Sequence, residues 1–265
     1  MQHLTPYFRE TGAGPGVVCI HSNASSSSQW RALMERLSPS YRVFAPDSLG
    51  AGKSPAWPAD RVVTLGDEVA LLEPVFAAAG NPCFLVGHSY GASVALMAAL
   101  ARPERIRAIA VYEPTLFALL EEEAAGQEAA NGIRSAAADA AAAIDAHDHA
   151  AAAQRFIDYW MGPGTWSRLP EARQTPIATS MTNVRGWARS LFSEPTPLQA
   201  FRALDLPVLY MLGAQSPASS RGVARLLTDT LPNVTIMEFA DLGHMGPVTH
   251  PEVVNDALAG FLASN

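Results

Sequence analysis

Cys83-Phe84-Leu85-Val86-Gly87-His88-Ser89-Tyr90-Gly91-Ala92-Ser93-Val94-Ala95-Leu96 joins an apolar run of strand length to an alanine-rich run through the pattern G-x-S-x-G. A turn this sharp between strand and helix forces Ser89 into a strained backbone conformation and points its hydroxyl out of the sheet edge. Gly87 and Gly91 fit places where strand and helix pass so closely that a Cβ would collide. The bare pattern also arises by chance in a chain with 19 glycines; the flanking strand and helix supply the structural reason for it here. On this reading Ser89 attacks a carbonyl, in a hydrolase or an acyl transferase.

The segments on either side alternate in type. Val17-Val18-Cys19-Ile20-His21 reads as a buried strand, followed by a helix from Ser28 to Leu37 with Trp30, Leu33, Met34 and Leu37 at helical spacing. Tyr41 to Pro46 is a second strand, ended by a loop from Asp47 to Pro58. A helix is expected over Thr64 to Ala79, capped by Thr64 with Asp67 and Glu68 in its first turn. After the elbow helix, which runs to about Arg102, come strands at Ile106–Tyr112, Pro207–Leu212 and Val234–Phe239, then a last helix over Glu252 to Leu262. Strands alternating with helices predict an α/β fold with a mostly parallel central sheet flanked by helices.

One stretch breaks the alternation. From Thr115 to Ala200 no strand is evident, and Ala124 to Ala153 is alanine-rich, which favours helix. The expected organisation is therefore a core of residues 1–114 and 201–265 with a helical cap of residues 115–200. Inserted after the strand that follows the nucleophile helix, the cap would lie over the strand ends as a lid. Its Trp160, Met181, Trp187 and Phe192 are candidates to line a substrate pocket, with plain packing inside the cap as the alternative for each.

A serine hydroxyl needs a base. Of seven histidines, His244 is the best placed, in the loop Ala240-Asp241-Leu242-Gly243-His244 between the last strand and the last helix. His250 reads as the start of the final helix, His88 flanks the nucleophile but points away, and His147 and His149 read as surface residues on different sides of a helix. In the loop His21-Ser22-Asn23-Ala24, Asn23 is the expected backbone donor to an oxyanion, alongside the N–H of Tyr90.

On these residues the chain resembles the α/β-hydrolase superfamily, in its lid-bearing, esterase-like branch with a serine nucleophile. His21-Ser22-Asn23 is similar to the family's oxyanion turn, with Ser22 where glycine is usual. Asp47-Ser48-Leu49-Gly50-Ala51-Gly52-Lys53-Ser54 is similar to the family's D-x-x-G-x-G-x-S loop; Asp47 and the following Pro55 and Pro58 argue against a phosphate-binding loop. The resemblance implies an aspartate at position 216, yet the chain has Ser216 there. Some family members, including a branch of haloalkane dehalogenases, place the acid after the strand following the elbow helix. That position is Glu113, in Val111-Tyr112-Glu113-Pro114; Asp241 is a weaker candidate. Dehalogenation itself is not implied, because it requires a carboxylate nucleophile where this chain has Ser89.

Composition narrows the partners. Eighteen Lys and Arg against 25 Asp and Glu, a net charge of −7, argue against nucleic acid or an anionic membrane as the main partner. Cys19 and Cys83 fall in apolar strands and suggest core packing in a reducing compartment, with no metal or disulfide framework. No secretory signal or membrane span is evident, and a cytoplasmic enzyme is expected. The leading reading is a serine carboxylesterase acting on small, mostly apolar esters without a metal or organic cofactor. The alternatives are a C–C bond hydrolase, a cofactor-free oxygenase- or lyase-like enzyme, and a slow-turnover binding protein.

Overall fold

The computed structural model describes residues 4–58, 61–122 and 124–265. Seven strands form one sheet: β1 (Phe8–Thr11), β2 (Gly16–Ile20), β3 (Arg42–Pro46), β4 (Cys83–His88), β5 (Ile106–Tyr112), β6 (Val208–Gly213) and β7 (Val234–Phe239). Their spatial order is β1-β3-β2-β4-β5-β6-β7. Only β1 runs antiparallel, against β3; the other pairings are parallel. From β2 the chain moves outward to β3 and then returns to place β4 on the other side of β2. That reversal opens a crevice beyond the carboxyl ends of β2 and β4, where open α/β sheets bind ligands. The loops at His21–Asn23 and at Ser89 leave the sheet there.

Alternate strand residues feed two cores. Val17, Cys19, Phe84, Val86, Ala108 and Ala110 pack on one face with Trp30, Leu33, Met34 and Leu37 and with Val254, Leu258 and Leu262 of the last helix, Pro251–Ser264. Val18, Ile20, Leu85, Ile109 and Val111 face the other side, against the elbow helix Tyr90–Ala101 and the helices that follow β5. Nine of the twelve elbow-helix residues are buried, in keeping with a helix that is apolar nearly all round.

Some expectations change. β1 has no counterpart in the sequence reading: four residues, with only Phe8 and Thr11 partly buried, leave little alternation to detect. The helix expected over Thr64 to Ala79 is two, Leu65–Leu71 and Glu73–Ala79. Pro74 has no N–H to offer the Ala70 carbonyl, so the chain breaks at Leu72. Thr64 caps the first with a reciprocal Asp67 bond. The alanine-rich run also divides, into Ala124–Asp145 and His149–Met161. At the break His147 takes a φ of 59°, and Asp148 caps the second helix by accepting from the Ala151 N–H at 2.8 Å. His147 is thus an exposed turn residue and does not share a helix with His149. Among the described residues no strand lies between β5 and β6; helices Glu171–Ser180 and Val184–Phe192 complete the long segment.

The close approach at the elbow is measurable. A Cβ on Gly91 would stand 2.3 Å from the Ile20 carbonyl oxygen and 2.5 Å from that of His21. Both obstacles are backbone and cannot swing aside. Gly91→Ala should therefore lower stability by roughly 2–4 kcal/mol, read as a fall in the urea midpoint. Gly260→Ala, on the last helix with nothing within 4 Å of the new methyl, should hold or raise the midpoint, since alanine favours helix.

Candidate active site

Ser89 sits at φ 57°, ψ −117°, between β4 and the elbow helix. Its N–H is held by the Tyr112 carbonyl at 2.9 Å, so the turn is pinned to β5. Its hydroxyl lies 2.9 Å from Nε2 of His244. Nδ1 of the same imidazole lies 2.7 Å from Oε2 of Glu113. The carboxylate can only accept, so Nδ1 carries the proton and Nε2 presents its lone pair to Ser89. Glu113 is wholly buried and His244 is 2 % exposed.

Ser216 stands where an acid was expected and bonds Glu113. Its Oγ donates to Oε1 of Glu113 at 2.5 Å, beside the Gly213 N–H at 2.7 Å. Ser220 Oγ also approaches Nδ1 of His244, at 3.3 Å. Asp241 is exposed. His250 precedes the last helix, bonds Thr249 and takes no part. The base loop is held from beneath: the Tyr112 hydroxyl donates to the Gly243 carbonyl at 2.8 Å, and His88 Nε2–H donates to the His244 carbonyl at 2.8 Å.

The donor loop is built on a folded-back side chain. Ser22 gives both its N–H and its hydroxyl to Oε1 of Gln29, at 3.1 and 3.0 Å. Asn23 and Ala24 turn beside it, Ala24 with φ 55°. Asn23 lines the same cavity as Ser89. The Tyr90 N–H opens the elbow helix, where backbone donors lack intrahelical partners. The glycine loop after β3 is filled by its own aspartate: Asp47 accepts from the Ser27 and Lys53 N–H groups at 2.6 and 2.9 Å. The Asp47 carboxylate thus takes up the Lys53 N–H within this loop.

Above Ser89 lies a narrow cavity lined by Asn23 and Thr115 and otherwise by apolar side chains, among them Phe117, Phe156, Trp160, Trp187 and Phe192. Its free space of about 30 Å³ holds roughly two waters, one needing about 10–15 Å³. Trp160, Trp187 and Phe192 therefore reach the pocket. Met181 is fully buried and is not among its lining residues; it packs with the apolar side of the helices. Trp160 also stacks on His244, with ring centroids 3.9 Å apart and planes 25° off parallel. Sequence reasoning missed Thr115 and Phe117, although they follow Glu113 by two and four residues. It missed the Trp160 stack and Gln29, for which no local signal exists.

Burial controls the charges nearby. It holds His21 below and His88 well below the usual histidine range, His88 further lowered by His244. It raises Glu68 to about 7, against bonds from the Leu49 N–H and the Tyr90 hydroxyl, both 3.2 Å, that favour the ionised form. Folding thus favours the proton on Glu68. Its contribution is complete below the ordinary carboxylate range and is lost as pH rises through about 7. Glu68→Gln cannot ionise and should gain stability relative to the parent between pH 5 and pH 8, on the order of 2–3 kcal/mol. Urea titrations at both pH values check this; a constant difference would contradict it.

Among the described residues no group of three potential metal-ligating side chains occurs, and no helix is long and apolar enough to cross a membrane. A sequence profile for the alpha/beta hydrolase fold matches residues 15–251. The chain is 41% identical over 112 residues to an epoxide hydrolase of Caballeronia sordidicola, covering 40% of this chain and 33% of that protein. The alignments at 33% identity or more span only 32% to 39% of those relatives' length. A pimeloyl-[acyl-carrier protein] methyl ester esterase of Pectobacterium carotovorum is 25% identical over 266 residues, covering 97% of this chain and 98% of that one. A hydrolase structure from Pseudomonas aeruginosa superposes with a TM-score of 0.77 over 98% of both chains at 22% identity, which speaks to the fold. The chain belongs to the alpha/beta-hydrolase family.

Proposed function

We propose that this protein hydrolyses carboxylic esters of small, apolar acyl groups through an acyl-enzyme on Ser89. The observation that carries the reading is the unbroken line of hydrogen bonds from Ser89 through His244 to buried Glu113, opening into an apolar cavity. Ser89 Oγ attacks the ester carbonyl while Nε2 of His244 takes its proton. Glu113 stabilises the imidazolium, and the N–H groups of Tyr90 and Asn23 receive the oxyanion. His244 returns the proton to the departing alcohol. Water then attacks the acyl-enzyme by the same steps, releasing the acid and restoring Ser89.

The scheme needs no metal or organic cofactor. Residues 115–200 serve as its cap over a core of 1–114 and 201–265. No cationic side chain is among the cavity's described lining residues, so a neutral acyl group suits it better than a dicarboxylate. The full-length relative named for a methyl ester supports ester cleavage.

p-Nitrophenyl acetate and butyrate should give a burst of p-nitrophenol that Ser89→Ala abolishes, with kcat/KM for the laurate ester lower by about 100-fold because the cavity is short. Turnover unchanged in Ser89→Ala would refute the acyl-enzyme. Glu113→Gln should cost about 10³-fold in kcat, since an amide neither fixes the tautomer nor stabilises the imidazolium. Ser216→Ala, which leaves the carboxylate in place, should cost less than about tenfold. Equal losses in the two variants would remove Glu113 from the scheme.

A further inference from the structure

Three side chains, Ser22, Gln29 and His88, form a hydrogen-bonded line that ends on the main-chain carbonyl of His244, and the acyl-transfer scheme does not use it. Ser22 donates twice to Oε1 of Gln29. Because Oε1 accepts from a backbone N–H, the other end of the amide must be the NH₂ group. That group lies 3.1 Å from Nδ1 of His88. His88 Nε2 lies 2.8 Å from the His244 carbonyl oxygen, which can only accept. The proton of His88 is therefore on Nε2, and Nδ1 accepts from Gln29. Every donor and acceptor along the line has one consistent assignment, and that assignment leaves His88 neutral.

We propose that Gln29 and His88 form a polar strut that sets the separation of the two loops flanking the nucleophile and keeps an uncharged imidazole beside the base. One end grips Ser22, next to the oxyanion donor Asn23. The other end grips the main chain of His244 itself. Among the described residues no hydrogen bond joins the two loops directly, and this line links them. Both residues are positioning residues: each acts through the loop it holds.

The neutrality of His88 has a function of its own. Its ring centroid is 5.3 Å from that of His244. The remaining groups around it are Tyr112, edge-on at 5.7 Å, and His21, whose Nε2 is occupied by the Ser48 N–H at 3.0 Å. Glu113 is engaged on the far side of His244. A proton on His88 would thus face no carboxylate and would repel the imidazolium that His244 must become. The burial that disfavours charge on His88 acts in the same direction.

The inference rests on the serine-nucleophile reading but not on the ester substrate, so the test uses a fluorophosphonate that labels Ser89. Labelling rate at saturation, kinact, and the half-saturating concentration, KI, are measured from pH 5 to 9. Gln29→Leu cuts the strut and should lower kinact about tenfold with KI within about twofold, while circular dichroism and thermal midpoint show the fold retained. Gln29→Glu, when ionised, still accepts from Ser22 but requires a proton on Nδ1 of His88. The new charge beside His244 should move the acid limb of kinact to lower pH by about one unit. Wild-type kinact in Gln29→Leu, a loss confined to KI, or an acid limb in Gln29→Glu that is unshifted or shifted upward would overturn the strut. A parent protein that labels well yet fails to cleave esters would instead refute the esterase reading and leave the strut standing.

Discussion

The carboxylate of Glu113 is closed off from water, and the arrangement around it follows from that constraint. A buried charge costs several kcal/mol unless its lone pairs are engaged. Here the donors come from three places in the chain: the Gly213 N–H at the end of β6, the Ser216 hydroxyl just beyond it, and Nδ1–H of His244 after β7. Satisfying one carboxylate thus fixes the relative positions of three loops. The orientation of the imidazole, and so the direction of its free lone pair, is a consequence. The neighbouring phenols of Tyr112 and Tyr210 stay protonated, first through burial and then through the charge of Glu113.

Both ends of this hydrogen-bonded line are strained. Ser89 has φ 57° and Glu113 has φ 46°, in the region that residues with a Cβ seldom occupy. Each costs about 1–3 kcal/mol. Each is also locked by the sheet: Ser89 N–H to Tyr112 O at 2.9 Å, Glu113 N–H to Met211 O at 3.1 Å. Continuing the ladder past the last regular strand residue holds Ser89 and Glu113 where an unsupported loop would relax. The two anchors are linked in turn, because Ser93 Oγ accepts from the Thr115 N–H at 2.8 Å and donates to Ser89 O at 3.3 Å.

What could be read from the sequence was what rests on local pattern. The elbow glycines, the order of strands from Val17 onward and the loop of His244 each leave a short-range signature. Glu113 was singled out because Ser216 lacks the charge that the resemblance called for and some members of that family place the acid at Glu113's position; the structure puts it 2.7 Å from Nδ1 of His244. The role of Ser216 itself was illegible, since a serine that donates to a carboxylate 103 residues away looks like any other serine. The same holds for Gln29, which reaches His88 across 59 residues. Breaks at Leu72 and at His147 were missed for a different reason: helix-favouring composition outweighed one proline in the first case and one Asp cap in the second. Met181 illustrates the limit on the pocket, because an apolar residue in the helical segment can face its neighbours as easily as the cavity.

His244 is flanked by two rings from different parts of the chain. Trp160, from the helix His149–Met161, stacks at 3.9 Å, and His88, from β4, lies tilted at 5.3 Å. With Nδ1 tied to Glu113 and the ring so enclosed, the one open position is Nε2, which meets Ser89. The indole therefore does more than roof the cavity. It covers one face of the His244 ring while also lining the space above Ser89. The two neighbours come from different elements: the indole lies on one face of the His244 ring, and the His88 ring stands beside it. The ring that narrows the pocket is thus the ring that lies on the imidazole.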